Sequence, residues 1–152
     1  MTTITADSTV LDARDLNVGS TVHASRKALW TGRVLSGFGV AFMLFDGSAK
    51  VFDLIPPDVK AANSYGWSDQ TLFTVGVLAL LCTALYVIPR TALLGAILLT
   101  GYFGGAIATH LRVGNPLFSH TLFPIYIAAL FWVGLYLRDA RARALFAPRK
   151  AA

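Results

Sequence analysis

Four long apolar runs, separated by short polar breaks, dominate the chain. They extend from about Ala28 to Phe52, from about Thr71 to Ile88, from about Thr91 to His110, and from about Ser119 to Leu137. Each reaches the ~20 residues that an α-helix needs to cross ~30 Å of hydrocarbon. None alternates apolar and polar residues as a half-buried strand does. In lipid, a strand with an open edge would leave backbone groups unpaired, so helices are the remaining choice. The pattern predicts an all-α protein, a transmembrane four-helix bundle.

The breaks carry their own signals. Ile55-Pro56-Pro57-Asp58 ends the first helix, and the polar stretch from Ser64 to Asp69 leads into the second, with Ser68 or Asp69 as its N-cap. Pro89-Arg90-Thr91 leaves room only for a tight turn, which makes the second and third helices antiparallel neighbours. Val113-Gly114-Asn115-Pro116 separates the third and fourth. Ser119 is expected to cap the fourth helix and Pro124 to kink it. Residues 1–27 read as a polar cytoplasmic tail without the apolar core of a secretory signal. Residues 28–146 form the membrane domain, and residues 147–152 a basic C-terminal tail.

Charge sets the orientation. Arg14, Arg26, Lys27 and Arg33 flank the start of the first helix, Arg90 sits in the second loop, and Arg138, Arg141, Arg143, Arg149 and Lys150 follow the fourth. The opposite side has Lys50, Lys60 and Arg112, set against Asp53, Asp58 and Asp69. The positive side faces the cytoplasm, and an even number of crossings puts both termini there. Trp30, Trp67 and Tyr136 fall near the predicted interfaces, where amphipathic rings settle.

Composition supports a lipid-facing surface. Of 152 residues, 55% are hydrophobic and 14% charged, against roughly 25% charged in soluble domains. The net charge of +5 does not signal nucleic acid, because the basic residues sit at chain ends and in loops and not along one face. There is no glutamate. Cys82 stands alone within an apolar run, so neither a disulfide framework nor a CxxC pair can form. No P-loop, GxSxG elbow or HExxH occurs. Gly37-Phe38-Gly39 lies inside an apolar helix and is not a nucleotide loop. Gly101 and Gly105 form a GxxxG pair that suits close helix packing, either within the chain or as a homo-oligomer seam.

Candidate chemistry gathers at one depth. Asp46 and Lys50 are four apart, share a helix face and can pair. At ~1.5 Å per residue, Asp46 lies ~27 Å from Ala28 and His110 ~28 Å from Thr91. Asp46, Lys50, His110, Arg112 and His120 therefore arrive at the same outer level from three segments. Ionisable groups inside a membrane are costly unless they face one another or a guest. Asp46, His110 and His120 are the candidate acid/base residues. Lys50, Tyr102, Arg112 and Asn115 are the candidate ligand-binding residues, with Tyr102 about two turns deeper. A hydrogen-bond network from His110 or His120 to Asp46 would orient the loops and bind the polar head of an apolar ligand such as a quinone. A bis-histidine haem on His110 and His120 is the weaker alternative, because the spacing is not diagnostic and no CxxCH is present. No other metal site is expected. A non-redox acid/base enzyme on a lipid-soluble substrate, an isomerase or hydrolase, remains open, as does a structural assembly subunit.

Several stretches together resemble the DoxX-like family of small bacterial four-helix membrane proteins. They are Leu44-Phe45-Asp46-Gly47 followed by Lys50, Tyr86-Val87-Ile88-Pro89-Arg90-Thr91-Ala92, Leu94 to Tyr102, Gly104-Gly105-Ala106, Thr109-His110-Leu111-Arg112, and Pro116-Leu117-Phe118-Ser119-His120 with Phe123-Pro124. The resemblance covers about Trp30 to Phe146. It implies a multi-pass protein of the bacterial inner membrane. The founding relative is a subunit linked to thiosulfate:quinone oxidoreductase, and other relatives associate with thiol and oxidative-stress proteins. Quinone-linked redox work, with a membrane redox or assembly partner, is therefore what the resemblance implies. The absence of a cysteine pair here speaks against direct thiol chemistry.

Overall fold

The computed structural model describes residues 25–58 and 66–146. Residues 1–24 of the tail expected at 1–27, the tail expected at 147–152, and loop residues 59–65, with Lys60, Ser64 and Tyr65 among them, lie outside the described residues. The elements are α1 (Arg26–Val51), α2 (Asp69–Val87), α3 (Ala92–Arg112), a π-helical turn (Leu117–Thr121), α4 (Phe123–Arg138) and a short α5 (Ala140–Phe146). No strand occurs among the described residues. Four spans are long and apolar enough to cross a membrane: α1, α2, α3, and the π-turn together with α4. Large apolar side chains such as Val34, Phe38, Phe45 and Leu81 lie more than half exposed on the helix exteriors. Such a surface is stable only against lipid or another apolar body. The chain is an integral membrane protein.

The first three helices keep their expected bounds to within two residues at each end. α1 begins at Arg26 and not at Ala28, because the Ser25 hydroxyl accepts the Ala28 amide at 3.2 Å and carries the helix into the polar segment. Ser68 caps α2 through the Thr71 amide at 3.3 Å. The Thr91 hydroxyl donates to the Leu85 carbonyl at 2.8 Å and closes the tight turn between α2 and α3.

The fourth span departs from expectation. It is two pieces and not one kinked helix. The amides of His120 and Thr121 both reach the Pro116 carbonyl at 3.2 Å, and that of Leu122 reaches Leu117 at 2.9 Å, which makes a wide π-type turn. α4 then starts at Phe123, with Pro124 in its first turn. There the missing N–H breaks no intrahelical bond and the fixed φ suits the helix. Pro124 therefore starts α4 where a kink was expected. Ser119 does not cap; its hydroxyl meets His120 Nδ1 at 2.8 Å.

The helices form a ring. α1 packs on α2 and α4, α2 on α3, and α3 closes onto α4, so α1 and α3 face each other across a diagonal. Three crossings use glycine for close approach: Gly32 with Gly134, Gly47 with Gly76, and Gly95 with the backbone of Tyr86. A Cβ at Gly95 would lie 2.3 Å from the Tyr86 amide nitrogen. Gly101 and Gly105, expected to pack, behave differently: a Cβ on either would meet nothing within 4 Å. The GxxxG pattern grants permission for close approach but does not supply a neighbour. α2 and α3 are thus pinched at Tyr86 and Gly95 and open beside Gly101 and Gly105.

Tyr86 anchors the core. Its side chain is fully buried, and its hydroxyl meets Ser36 Oγ at 2.7 Å and donates to the Phe131 carbonyl at 2.9 Å. Three helices are tied by one phenol, and every polar atom of the set has a partner. The Arg138 guanidinium caps the ring at 4.9 Å. At the same end, Asp139 accepts the Arg141 amide at 2.8 Å and the Arg141 guanidinium at 2.9 Å. Arg141 also donates to the carbonyls of Pro89 and Arg90, which latches the α4–α5 joint to the α2–α3 turn.

Candidate functional site

The opposite end of the bundle holds an ion pair next to a cavity. Asp46 and Lys50, one turn apart on α1, form a salt bridge with both side chains largely buried. Two charges withdrawn from water hold together only with good geometry and further hydrogen bonds. Tyr102, from the diagonal helix α3, supplies one: its hydroxyl donates to Asp46 Oδ2 at 3.4 Å, a long bond.

The cavity has a volume of about 490 Å³. Its polar rim is Asp46, Lys50, Tyr102, Thr109 and His110, with Trp67 alongside. Its depth is apolar, walled by Met43, Cys82, Phe103 and Ile127 among others. With a rise of ~1.5 Å per residue, Asp46 lies ~30 Å along α1 from Arg26, whereas Cys82 lies ~20 Å along α2 from Asp69 at the other polarity. The hollow therefore runs from a polar level near one membrane face toward the middle of the bilayer. A second hollow of about 260 Å³ sits between the end of α1 and the start of α2. It includes Asp53 and Asp69 and shares Lys50 and Leu72 with the larger one.

Local chain geometry aims His110. α3 ends with Gly114 at φ 70°, a left-handed position that glycine adopts freely. The Gly114 amide bonds the Leu111 carbonyl at 3.1 Å and the Asn115 amide bonds that of His110 at 3.1 Å, a Schellman ending. This turns Asn115 back so that its side-chain amide meets His110 Nδ1 at 2.9 Å. His120 lies behind, its ring edge-to-face with that of His110 at 6.1 Å between centroids.

The seven candidate residues therefore split. Asp46, Lys50, Tyr102 and His110 line the cavity. His120, Arg112 and Asn115 do not line it, although Asn115 and His120 touch it indirectly through His110. Asp46 is partnered by Lys50 and Tyr102. Shared depth measured along each helix could not separate these groups, because it ignores rotation about the helix axis. It also missed Thr109, Trp67 and Cys82 as wall residues. Thr109 and Tyr102 are seven apart and so share a helix face, a signal that could have linked them. Haem does not suit this arrangement: His110 is on the cavity and His120 outside it, so the imidazoles are not presented across the hollow as an axial pair. No group of three or more metal-ligating side chains gathers among the described residues.

No curated protein and no solved structure matches the chain. The sequence model of the DoxX-like family matches residues 34–134, from the first third of α1 to the last turns of α4. That stretch contains all four cavity-lining candidates and both ends of the tight α2–α3 turn, so the family pattern and the ring of helices coincide, and the chain belongs to the DoxX-like family.

Proposed function

We propose that the protein binds a lipid-soluble molecule with a polar head, a quinone, as a subunit of a membrane oxidoreductase. The observation that supports this reading is the cavity itself: one polar end made by Asp46, Lys50, Tyr102 and His110, and an apolar remainder. Pockets for such ligands are mostly apolar with a few convergent polar groups. The polar groups are of both kinds. Lys50 and Tyr102 donate hydrogen bonds, as a quinone carbonyl requires. Asp46 accepts them, as a hydroquinone hydroxyl requires. When bound, a quinone supplies two-electron, two-proton chemistry, and this chain contributes the cradle. His110, held by Asn115, stands at the rim where a proton can pass to or from the aqueous face. With its one cysteine in an apolar wall, the chain needs a partner protein as the electron donor. In this reading the arginine-rich end at Arg138, Arg141 and Arg143 faces the cytoplasm of a bacterial cell, both termini are cytoplasmic, and the site opens toward the outer face of the inner membrane.

The test is calorimetric titration of the protein in nanodiscs with a short-chain ubiquinone analogue. Wild type is expected to bind one molecule. Tyr102→Phe is expected to weaken binding of the quinone by about two- to tenfold, the value of a hydrogen bond to a neutral carbonyl at ~0.5–1.5 kcal/mol, and Asp46→Asn to weaken binding of its hydroquinone form by about ten- to a hundredfold, the value of one to a charged group at ~1.5–3 kcal/mol. Equal affinity in wild type and both variants would end the proposal, as would no binding at all.

A further inference from the structure

The cavity has a side opening, and its position selects what can enter. Gly101 and Gly105 line the hollow and are nevertheless exposed on the outside of α3. A side chain on either would meet nothing within 4 Å, so no neighbouring helix covers them. Across the gap, Leu78 of α2 also lines the cavity and is 49% exposed, and Leu98 of α3 is 41% exposed. The same two helices are in tight contact at Gly95 and Tyr86, so they diverge toward the opening. The α1–α4 side is closed by the Phe42 and Phe123 rings, packed edge-to-face at 5.4 Å between centroids. At ~1.5 Å per residue, Gly101 lies ~14 Å and Gly105 ~20 Å along α3 from Ala92, which is the middle of a ~30 Å hydrocarbon layer. The ion pair of Asp46 and Lys50 stands across the cavity on α1, in reach of the Tyr102 hydroxyl and next to the smaller polar hollow.

We propose that the ligand enters sideways from the lipid, between α2 and α3 across Gly101 and Gly105, and is therefore an uncharged, slender molecule dissolved in the bilayer. This rests on the cavity being a binding site, but not on the ligand being a quinone. The two glycines remove the side chains that would otherwise bar the gap. The polar head then reaches across the cavity to Tyr102 and Asp46, and an apolar tail trails back out through the opening. A water-borne or charged ligand has no such route, because the opening lies in oil where a charge costs several kcal/mol.

The experiment is photolabelling of the whole protein in nanodiscs with an alkyl diazirine dissolved in the bilayer, mapped by mass spectrometry. Wild type is expected to carry label on the deep wall residues Cys82 and Ile127, as well as on the lipid-facing Phe38 and Leu81. In the Gly101→Leu/Gly105→Leu variant, cavity labels are expected to fall at least tenfold while the lipid-facing labels stay. Gly104→Leu, on the same helix but not on the cavity and equally free of contacts, is expected to label like wild type, which controls for folding. Three results would each overturn the proposal. One is no cavity label in wild type, as a second copy seated over the glycines would cause. Another is undiminished cavity label in the double variant. The third is labelling of the same wall residues by a charged, water-borne diazirine. A short-chain quinone added as competitor separates the two ideas: cavity label that the quinone does not displace refutes the quinone reading and leaves the lateral route standing.

Discussion

Gly95 and Gly101 sit on the same helix, six residues apart, yet alanine should act oppositely at the two positions. At Gly95 a Cβ would lie 2.3 Å from the Tyr86 nitrogen, 2.5 Å from its Cα and 2.8 Å from the Leu85 carbonyl carbon. All three are backbone atoms, so no rotamer change can make room. Restoring ordinary contact needs a retreat of about 1 Å between α3 and the end of α2. That shift disturbs the Thr91 bond to Leu85 and the packing of the fully buried Tyr86. Overpacking costs ~1–3 kcal/mol, and a clash against backbone belongs at the upper end. The better helix propensity of alanine offsets ~1 kcal/mol of this. Gly95→Ala is therefore expected to lose about 2 kcal/mol. Gly101→Ala meets nothing within 4 Å and is expected to gain about 0.5–1 kcal/mol from propensity alone. Reversible unfolding by SDS in mixed micelles, followed by far-ultraviolet circular dichroism, measures both. A Gly95→Ala protein as stable as wild type, or a Gly101→Ala protein equally weakened, would refute the account of where α2 and α3 touch.

Tyr86→Phe removes both hydrogen bonds that tie Ser36 and Phe131 to the core. About 1 kcal/mol is expected in the same unfolding assay, since hydrogen bonds between membrane helices average ~0.6 kcal/mol. Ser36→Ala in the Tyr86→Phe background should then cost less than it does in wild type, because the pair acts as a unit. Outside the span, the hydrogen bond from Arg141, joined by its charge, holds the Asp139 carboxyl below its ordinary value. A lowered folded value means that the latch contributes fully above the ordinary carboxylate range, near pH 4, and is lost as pH falls through the lowered value. Amide-exchange protection around Arg90 to Gly95, taken relative to the intrinsic rate at each pH, is expected to be high at pH 5 and to fall at lower pH. In Arg141→Ala the protection should be low at every pH, with no acid step.

Much of the fold is legible in the chain because a membrane makes a simple demand. Length and continuous apolarity suffice to place α1, α2 and α3, and Ser68 and the Pro89–Thr91 turn mark ends by local chemistry. The fourth span is harder. Pro124 reads from the sequence as a kink inside one helix, and only the carbonyl of Pro116, which accepts two amides, shows a π-turn before it and puts Pro124 in the first turn of α4. The glycines show the same limit. Gly101 and Gly105 carry the familiar spacing but face open space, whereas Gly95, without a motif, makes the tightest approach. A pairwise contact depends on which face turns toward which helix, and spacing on one helix does not contain that. The site was half legible for the same reason. Depth alone brought Asp46, Lys50 and His110 to one level, but it also admitted His120 and Arg112, which rotation about their own segments keeps off the cavity.

The central claim is that the hollow beneath Asp46 and Lys50 receives a lipid-soluble molecule head-first. The most direct measurement is an experimental structure of the protein in nanodiscs with a short-chain quinone. Density is expected for a ring within hydrogen-bonding reach of Tyr102 and Lys50, with its tail leaving past Gly101. A cavity that holds only ordered water, or that has closed by contact of α2 with Gly101 and Gly105, would contradict it.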